Sequence, residues 1–110
     1  MKQGEIWNLY LNPVKGSEHQ GKRPAVIISG NMLNTYLKVV IVCPITTKIK
    51  NYKGNLILKP SLSNGLKAVS EVLTFHVRSV SKERLDEKIG QLSRKEVENI
   101  KATLNDILRF

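Results

Sequence analysis

A chain of 110 residues, 41% of them hydrophobic, has the size of one domain with a modest core, which excludes a disordered tail or a multidomain assembly. No apolar run approaches the roughly 18 residues needed to span a membrane, and "MKQGEIWNLYL" lacks the apolar stretch of a secretory signal, so a cytoplasmic protein with no membrane partner is expected. The net charge of +9 is uneven. Residues 1–82 hold twelve Lys/Arg against Glu5, Glu18 and Glu71, whereas residues 83–110 hold six of each sign. Such an excess describes a basic face that draws polyanions or an acidic partner segment.

Taken in chain order, "EIWNLYL" (5–11) reads as a first strand, followed by a long polar loop, "NPVKGSEHQGK", with two glycines and a proline. "RPAVIISG" (23–30) is an aliphatic, buried strand, and "NMLNTY" a short connection of about one helical turn. "LKVVIVCPITT" (37–47) is a second buried strand, rich in β-branched residues and stopped near Pro44. Cys43, the one cysteine, leaves no disulfide to form within the chain and reads as a buried apolar residue. After the basic loop "KIKNYKG" come a strand at 55–59, a turn-rich "PSLSNGL", and "KAVSEVLTFHVRSV" (67–80), one long bent strand or two short ones. "SKERL" reads as a single helical turn and "EKIGQL" (87–92) as the last strand.

The chain closes on a helix. Ser93 with Glu96 three residues later has capping-box spacing, and Val97, Ile100, Leu104, Ile107 and Leu108 recur as one stripe. Many short strands and one terminal helix predict a single mainly β domain over residues 1–110, a small curled sheet or barrel whose closure protects strand edges.

Candidate chemistry is narrow. His19 and His76 lie far apart, the lone cysteine is in an apolar run, and the first 82 residues offer three carboxylates, so no metal-ligand spacing is present. No phosphate-binding glycine motif or serine nucleophile elbow is present either, and no cofactor is expected. What remains is Arg23, held beside Pro24 at the mouth of a buried strand. Its planar fork suits a phosphate gaining charge in a transition state, and Gly16 and Gly21 let backbone approach an anion; the plainer reading is a surface arginine at a strand start. Thr46 and Thr47 follow Pro44, so at least one hydroxyl should face outward to meet a phosphate oxygen; both also suit a strand end simply as β-formers.

"GEIWNLYLNPVKGSEHQGKRPAVIIS", then "PIT" some twenty residues later, then "VLTFHVRSVSKERLDEKIGQLS" and a terminal helix, together resemble the MazF/PemK family of toxin endoribonucleases over essentially the whole chain. The resemblance implies an SH3-like curled barrel of the CcdB/Kid/PemK kind, forming a homodimer. It implies metal-independent, sequence-specific cleavage of single-stranded RNA, typically mRNA, and inhibition by an antitoxin whose acidic tail fills the RNA groove. The family's catalytic arginine falls on Arg23 and its catalytic threonine on Thr46. Ser17, Glu18 and His19 fall on the loop that covers the site, where position 19 is usually glutamine. A family stretch of carboxylate, glutamine and a basic residue falls on Phe75, His76 and Arg78, so the carboxylate's role does not carry over. Phe75 reads either as core, the preferred reading, or as a surface that stacks on a base.

Metal-free scission uses the neighbouring 2′-hydroxyl as nucleophile and leaves a 2′,3′-cyclic phosphate and a 5′-hydroxyl. Arg23 suits stabilisation of the phosphorane, and Thr46 would orient the phosphate; Glu18, His19 and His76 are the acid/base candidates. The RNA-contacting set is Ser17, Lys22, Thr47, Lys48, Lys50, His76 and Arg78. The alternatives are a non-catalytic relative, or a CcdB-like toxin of the same fold that acts by binding protein.

Overall fold

A computed structural model of the chain describes residues 1–10 and 21–109. The elements are β1 (Glu5–Tyr10), β2 (Lys22–Ile27), α1 (Asn31–Tyr36), β3 (Val39–Thr46), β4 (Ile57–Leu58), β5 (Ser70–Val72), β6 (Arg78–Ser81), β7 (Leu85–Gln91) and α2 (Arg94–Leu108). The strands form one antiparallel sheet in the order β4-β5-β3-β2-β1-β7, with β6 beside the first half of β3. No helix among the described residues is long and apolar enough to cross a membrane.

The uninterrupted aliphatic runs of β2 and β3 follow from burial on both faces of the curled sheet. Ile6, Val26 and Cys43 stand opposite one another across three strands and share a core with Val72 of β5 and with Val97 and Ile100 of α2. The alternate residues, Leu9, Ala25, Ile27, Val40 and Val42, meet Val80 of β6 in a second core. Neither face is left to water, so polar alternation is absent from the middle of the sheet. Burial of Cys43 pushes its thiol up to about 12, which leaves it a packing residue.

Residues 67–80 form two strands because β3 changes partner at Pro44. Val39–Val42 pair with β6, whereas Ile45 and Thr46 pair with Val72 and Glu71 of β5. Pro44 has no N–H to donate, and its carbonyl accepts from the Leu73 amide at 2.8 Å. The chain between the two partners is taken up by one tight turn, Thr74–His76. A second such turn, Lys82–Arg84, carries β6 into β7.

The two outer strands, β4 and β7, are joined by the segment that follows β4. The Asn64 side chain gathers this segment, accepting from the Ser61 and Leu66 amides and donating to the Lys59 carbonyl. Ser63 then accepts from the Gln91 amide at 2.8 Å. The approach is tight enough to demand glycine on both sides. A Cβ on Gly90 would lie 2.2 Å from the Asn64 carbonyl oxygen, and one on Gly65, at φ +66°, would lie 1.9 Å from the Ile89 oxygen.

Helix α2 begins with the expected capping box: the Glu96 amide donates to Ser93 Oγ, and the Ser93 amide to Glu96 Oε1. The apolar stripe is shorter than its sequence pattern. Val97 and Ile100 are buried and Leu104 half-buried, but Ile107 and Leu108 stand 44% and 74% exposed.

One buried charge organises the basic loop after β3. Glu71 is fully buried, and its carboxylate accepts from the backbone amides of Lys50, Asn51 and Tyr52 and from Asn55 Nδ2, all within 2.8–3.0 Å. Burial alone would raise its pKa, but the bonds from Asn55 and the three amides outweigh burial and hold the carboxyl below the ordinary glutamate range. The same loop is tied to α2 through Thr103 Oγ1, which donates to the Gly54 carbonyl at 2.7 Å.

Two outcomes are expected. Gly90→Ala should cost about 1–3 kcal/mol, read as a lower urea midpoint at unchanged m. Because the folded pKa of Glu71 is depressed, its contribution is complete above about pH 4.3, the unfolded value, and is lost as pH falls through the lower folded value. Glu71→Gln should therefore cost about 2–4 kcal/mol at neutral pH and flatten the acid limb of the stability profile, measured by denaturant titrations from pH 7 down to pH 3.

Candidate functional site

Continuing the β2–β3 register two residues past Ala25 and Pro44 brings Arg23 alongside Thr46, where both strands leave the core. Arg23 is exposed and Thr46 half-buried. The Lys48 amide donates to Thr46 Oγ1 at 3.1 Å, which fixes the hydroxyl as an acceptor and leaves its own proton for another group. From the opposite side, the partner change at Pro44 brings the Thr74–His76 turn and the first residue of β6, Arg78.

These pieces enclose a cavity of about 340 Å³. Pro44, Ile45, Leu73 and Val77 make its apolar walls, and Arg23, Thr46, His76 and Arg78 supply its polar groups. Among the described residues, two guanidiniums, an imidazole and a hydroxyl thus converge without a carboxylate in the lining. Apolar walls reduce the screening of charge within such a space, so the arrangement is built for an anion. The larger hollow of about 560 Å³, bordered by Ser61, Ser63, Gln91, Leu92, Ser93 and Glu96, has no basic group. Among the described residues, no three His, Cys, Asp or Glu side chains gather into a metal-binding group.

The other sequence candidates distribute around this cavity. Thr47, Lys48 and Lys50 are exposed on the loop that follows β3, outside the cavity lining. Lys22 adjoins Arg23 in sequence, but consecutive strand residues point to opposite faces. Its ammonium pairs with Asp86 at 2.8 Å and sits 5.4 Å from the centre of the Tyr10 ring. The bond to Asp86 raises the pKa of Lys22, so this charge is already partnered within the protein. Ser17, Glu18 and His19 lie outside the described residues.

Phe75 is not core. It is 45% exposed, with its ring centre 5.2 Å from that of Tyr52 and 4.4 Å from that of His76, both edge-to-face. Its neighbours in sequence explain the difference: residues 74–76 form a tight turn that buries Thr74 and leaves Phe75 outside, so strand alternation does not decide which side chains are buried. Glu71, which composition counts as one charge among many, proves to be the cross-strand neighbour of Thr46. A carboxylate between the apolar residues Val69 and Val72 is the signal that could have marked it.

Comparison with known proteins bears on this geometry. Residues 2–108 match the family described as PemK-like, MazF-like toxin of type II toxin-antitoxin system. The chain is 31% identical over 109 residues to Endoribonuclease MazF9 of Mycobacterium tuberculosis, covering 94% of this chain and 92% of that protein. It is 36% identical over 101 residues to Endoribonuclease MazF of Staphylococcus saprophyticus, covering 91% and 84%. Among solved structures, MazF of Deinococcus radiodurans superposes with a TM-score of 0.80 at 27% identity, covering 98% of this chain and 96% of that one. The toxin MazF-mt6 of Mycobacterium tuberculosis has the same fold, with a TM-score of 0.77 at 20% identity over 93% of each chain. The curled β-sheet with its terminal helix, and the match along nearly the whole sequence, show that this chain belongs to the PemK-like, MazF-like toxins of type II toxin-antitoxin systems.

Proposed function

We propose that the protein is the toxin of a type II toxin-antitoxin pair and acts as a metal-independent endoribonuclease on single-stranded RNA, mRNA foremost. The observation that carries this reading is the convergence of Arg23, Thr46, His76 and Arg78 on one cavity. Relatives named as endoribonucleases at 31% and 36% identity support it.

In the reaction, the 2′-oxygen attacks the adjacent phosphorus as its proton passes to a base. The bond from phosphorus to the 5′-oxygen then breaks, and that oxygen takes up a proton. The products are a 2′,3′-cyclic phosphate and a 5′-hydroxyl. A guanidinium remains protonated throughout, so Arg23 and Arg78 bind the non-bridging oxygens as charge grows in the phosphorane. Thr46 donates its free O–H to one of those oxygens. His76 moves protons, since histidine is the side chain whose charge changes within the working pH range. Glu18 and His19 are the further acid/base candidates, and Ser17 completes that loop's contacts. Thr47, Lys48 and Lys50 guide the backbone at the rim, where salt would weaken them.

The toxin works in the cytoplasm as a homodimer, and the exposed Met32, Tyr36 and Leu37 around α1 are apolar surface suited to such contact. Its inhibitor is an antitoxin with an acidic segment that competes for the basic face. Related structures include an endoribonuclease in complex with its cognate antitoxin from Mycobacterial species and a MazE-MazF complex from Deinococcus radiodurans.

Purified protein should cut a long RNA in the presence of EDTA. Arg23→Ala should lower kcat/KM by about 10²–10³-fold. Thr46→Val should lower kcat with little change in KM. Growth arrest with intact RNA would replace this reading with a toxin that acts by binding protein. Transfer of a proton by His76 gives the pH–rate profile a limb that His76→Gln removes; a profile that keeps both limbs assigns the proton to another group.

A further inference from the structure

We propose that Phe75, flanked by Tyr52 and His76, is a stacking platform for one unpaired base of the RNA, beside the cavity that takes the scissile phosphate. The inference rests on the endoribonuclease reading and extends it to how the substrate is gripped. Single-stranded RNA presents splayed bases, and proteins hold these on the π-faces of aromatic side chains.

Three observations support it. Phe75 and Tyr52 are 45% and 47% exposed, and their mutual contact is perpendicular, so among the described residues no parallel ring covers Phe75. His76 touches Phe75 and also lines the phosphate cavity, so the two surfaces are continuous. A base on Phe75 would thus belong to a nucleotide at the scissile phosphate. The shelf is also preset: the amide of Tyr52 is bonded to the buried Glu71 carboxylate at 3.0 Å, and Glu71 stands opposite Thr46 across the sheet. The loop that presents Tyr52 also carries the exposed Lys48, Lys50 and Lys53, which suits a polyanion rather than an apolar peptide.

The test uses an oligoribonucleotide centred on the cut mapped with wild-type protein, its attacking 2′-oxygen methylated to block scission. A parallel series removes one base at a time around the cut. Binding is measured by fluorescence anisotropy for wild type, Phe75→Ala, Phe75→Leu and Phe75→Trp. Phe75→Ala and Phe75→Leu should weaken binding by roughly 5- to 150-fold, whereas Phe75→Trp should retain it. At one position flanking the cut, base removal should weaken wild type to the Phe75→Ala level and cost Phe75→Ala nothing further. Phe75→Leu keeps an apolar side chain without the π-face, so its thermal midpoint, expected to equal that of wild type, separates lost stacking from lost folding.

Equal binding by wild type and Phe75→Leu overturns the proposal. So does a Phe75→Ala loss that persists in full on every base-deleted oligonucleotide. If wild type cuts RNA and Phe75→Ala cuts with unchanged KM, only the platform fails. If wild type cuts no RNA, the endoribonuclease reading fails and takes the platform with it.

Discussion

A carboxylate removed from water and satisfied by four N–H donors is the constraint on which the working end of this protein depends. Glu71 collects the amides of Lys50, Asn51 and Tyr52 and the side chain of Asn55. An unpaired buried charge would be among the costliest features in a domain of this size, so the loop and the strand specify each other. If the loop peels away, the charge is left stranded; if the charge is lost, three amides lose their acceptor. The loop carries much of the exposed lysine near the site, and mutual repulsion among Lys48, Lys50 and Lys53 would favour a spread ensemble. The Glu71 negative charge opposes that spread while holding the backbone in one conformation, and Thr103 secures the far side at Gly54.

The second constraint is the partner change of β3. A strand that kept one neighbour along its length would present a continuous ladder and no opening. Because β3 pairs with β6 up to Val42 and with β5 from Ile45, the connecting turn leaves the hydrogen-bond ladder. The cavity occupies the resulting gap, with Pro44 and Ile45 in its wall and His76 and Arg78 on the returning chain. The candidate site therefore sits where the hydrogen-bond ladder is interrupted.

This explains what the sequence disclosed and what it withheld. Buried strands were legible from β2 and β3 because two-sided burial writes itself as an aliphatic run, and α2 was legible because Ser93 and Glu96 are three residues apart and act locally. Arg23 and Thr46 were legible as strand-end residues through the proline beside or near each. Features that depend on distant partners were not. Asp86, 64 residues away, neutralises Lys22, and nothing around Lys22 announces it. Glycines at 65 and 90 look like ordinary turn residues until two backbones are brought together. Phe75 in an apolar stretch reads as core unless the turn beneath it is known, and Leu108 continues a helical stripe whose end is exposed.

Stability and the proposed chemistry are consequently carried by different side chains. Arg23, His76 and Arg78 are exposed and Thr46 is half-buried, and none of them belongs to either hydrophobic core. Their positions are set by backbone: two strand ends in register, one tight turn, and a carbonyl of Pro44 bonded to Leu73. A site held in this way can exchange its side chains at little cost to the fold, because no buried group loses a partner when they change. Glu71, Asn64 and Gly90 are the converse, buried or half-buried and constrained by backbone contacts, with no atom in the cavity lining. The exposed phenylalanine at position 75 follows the same logic. It stands on a turn set by backbone bonds, so its side chain can change while the frame that presents Arg23 and Thr46 stays as it is.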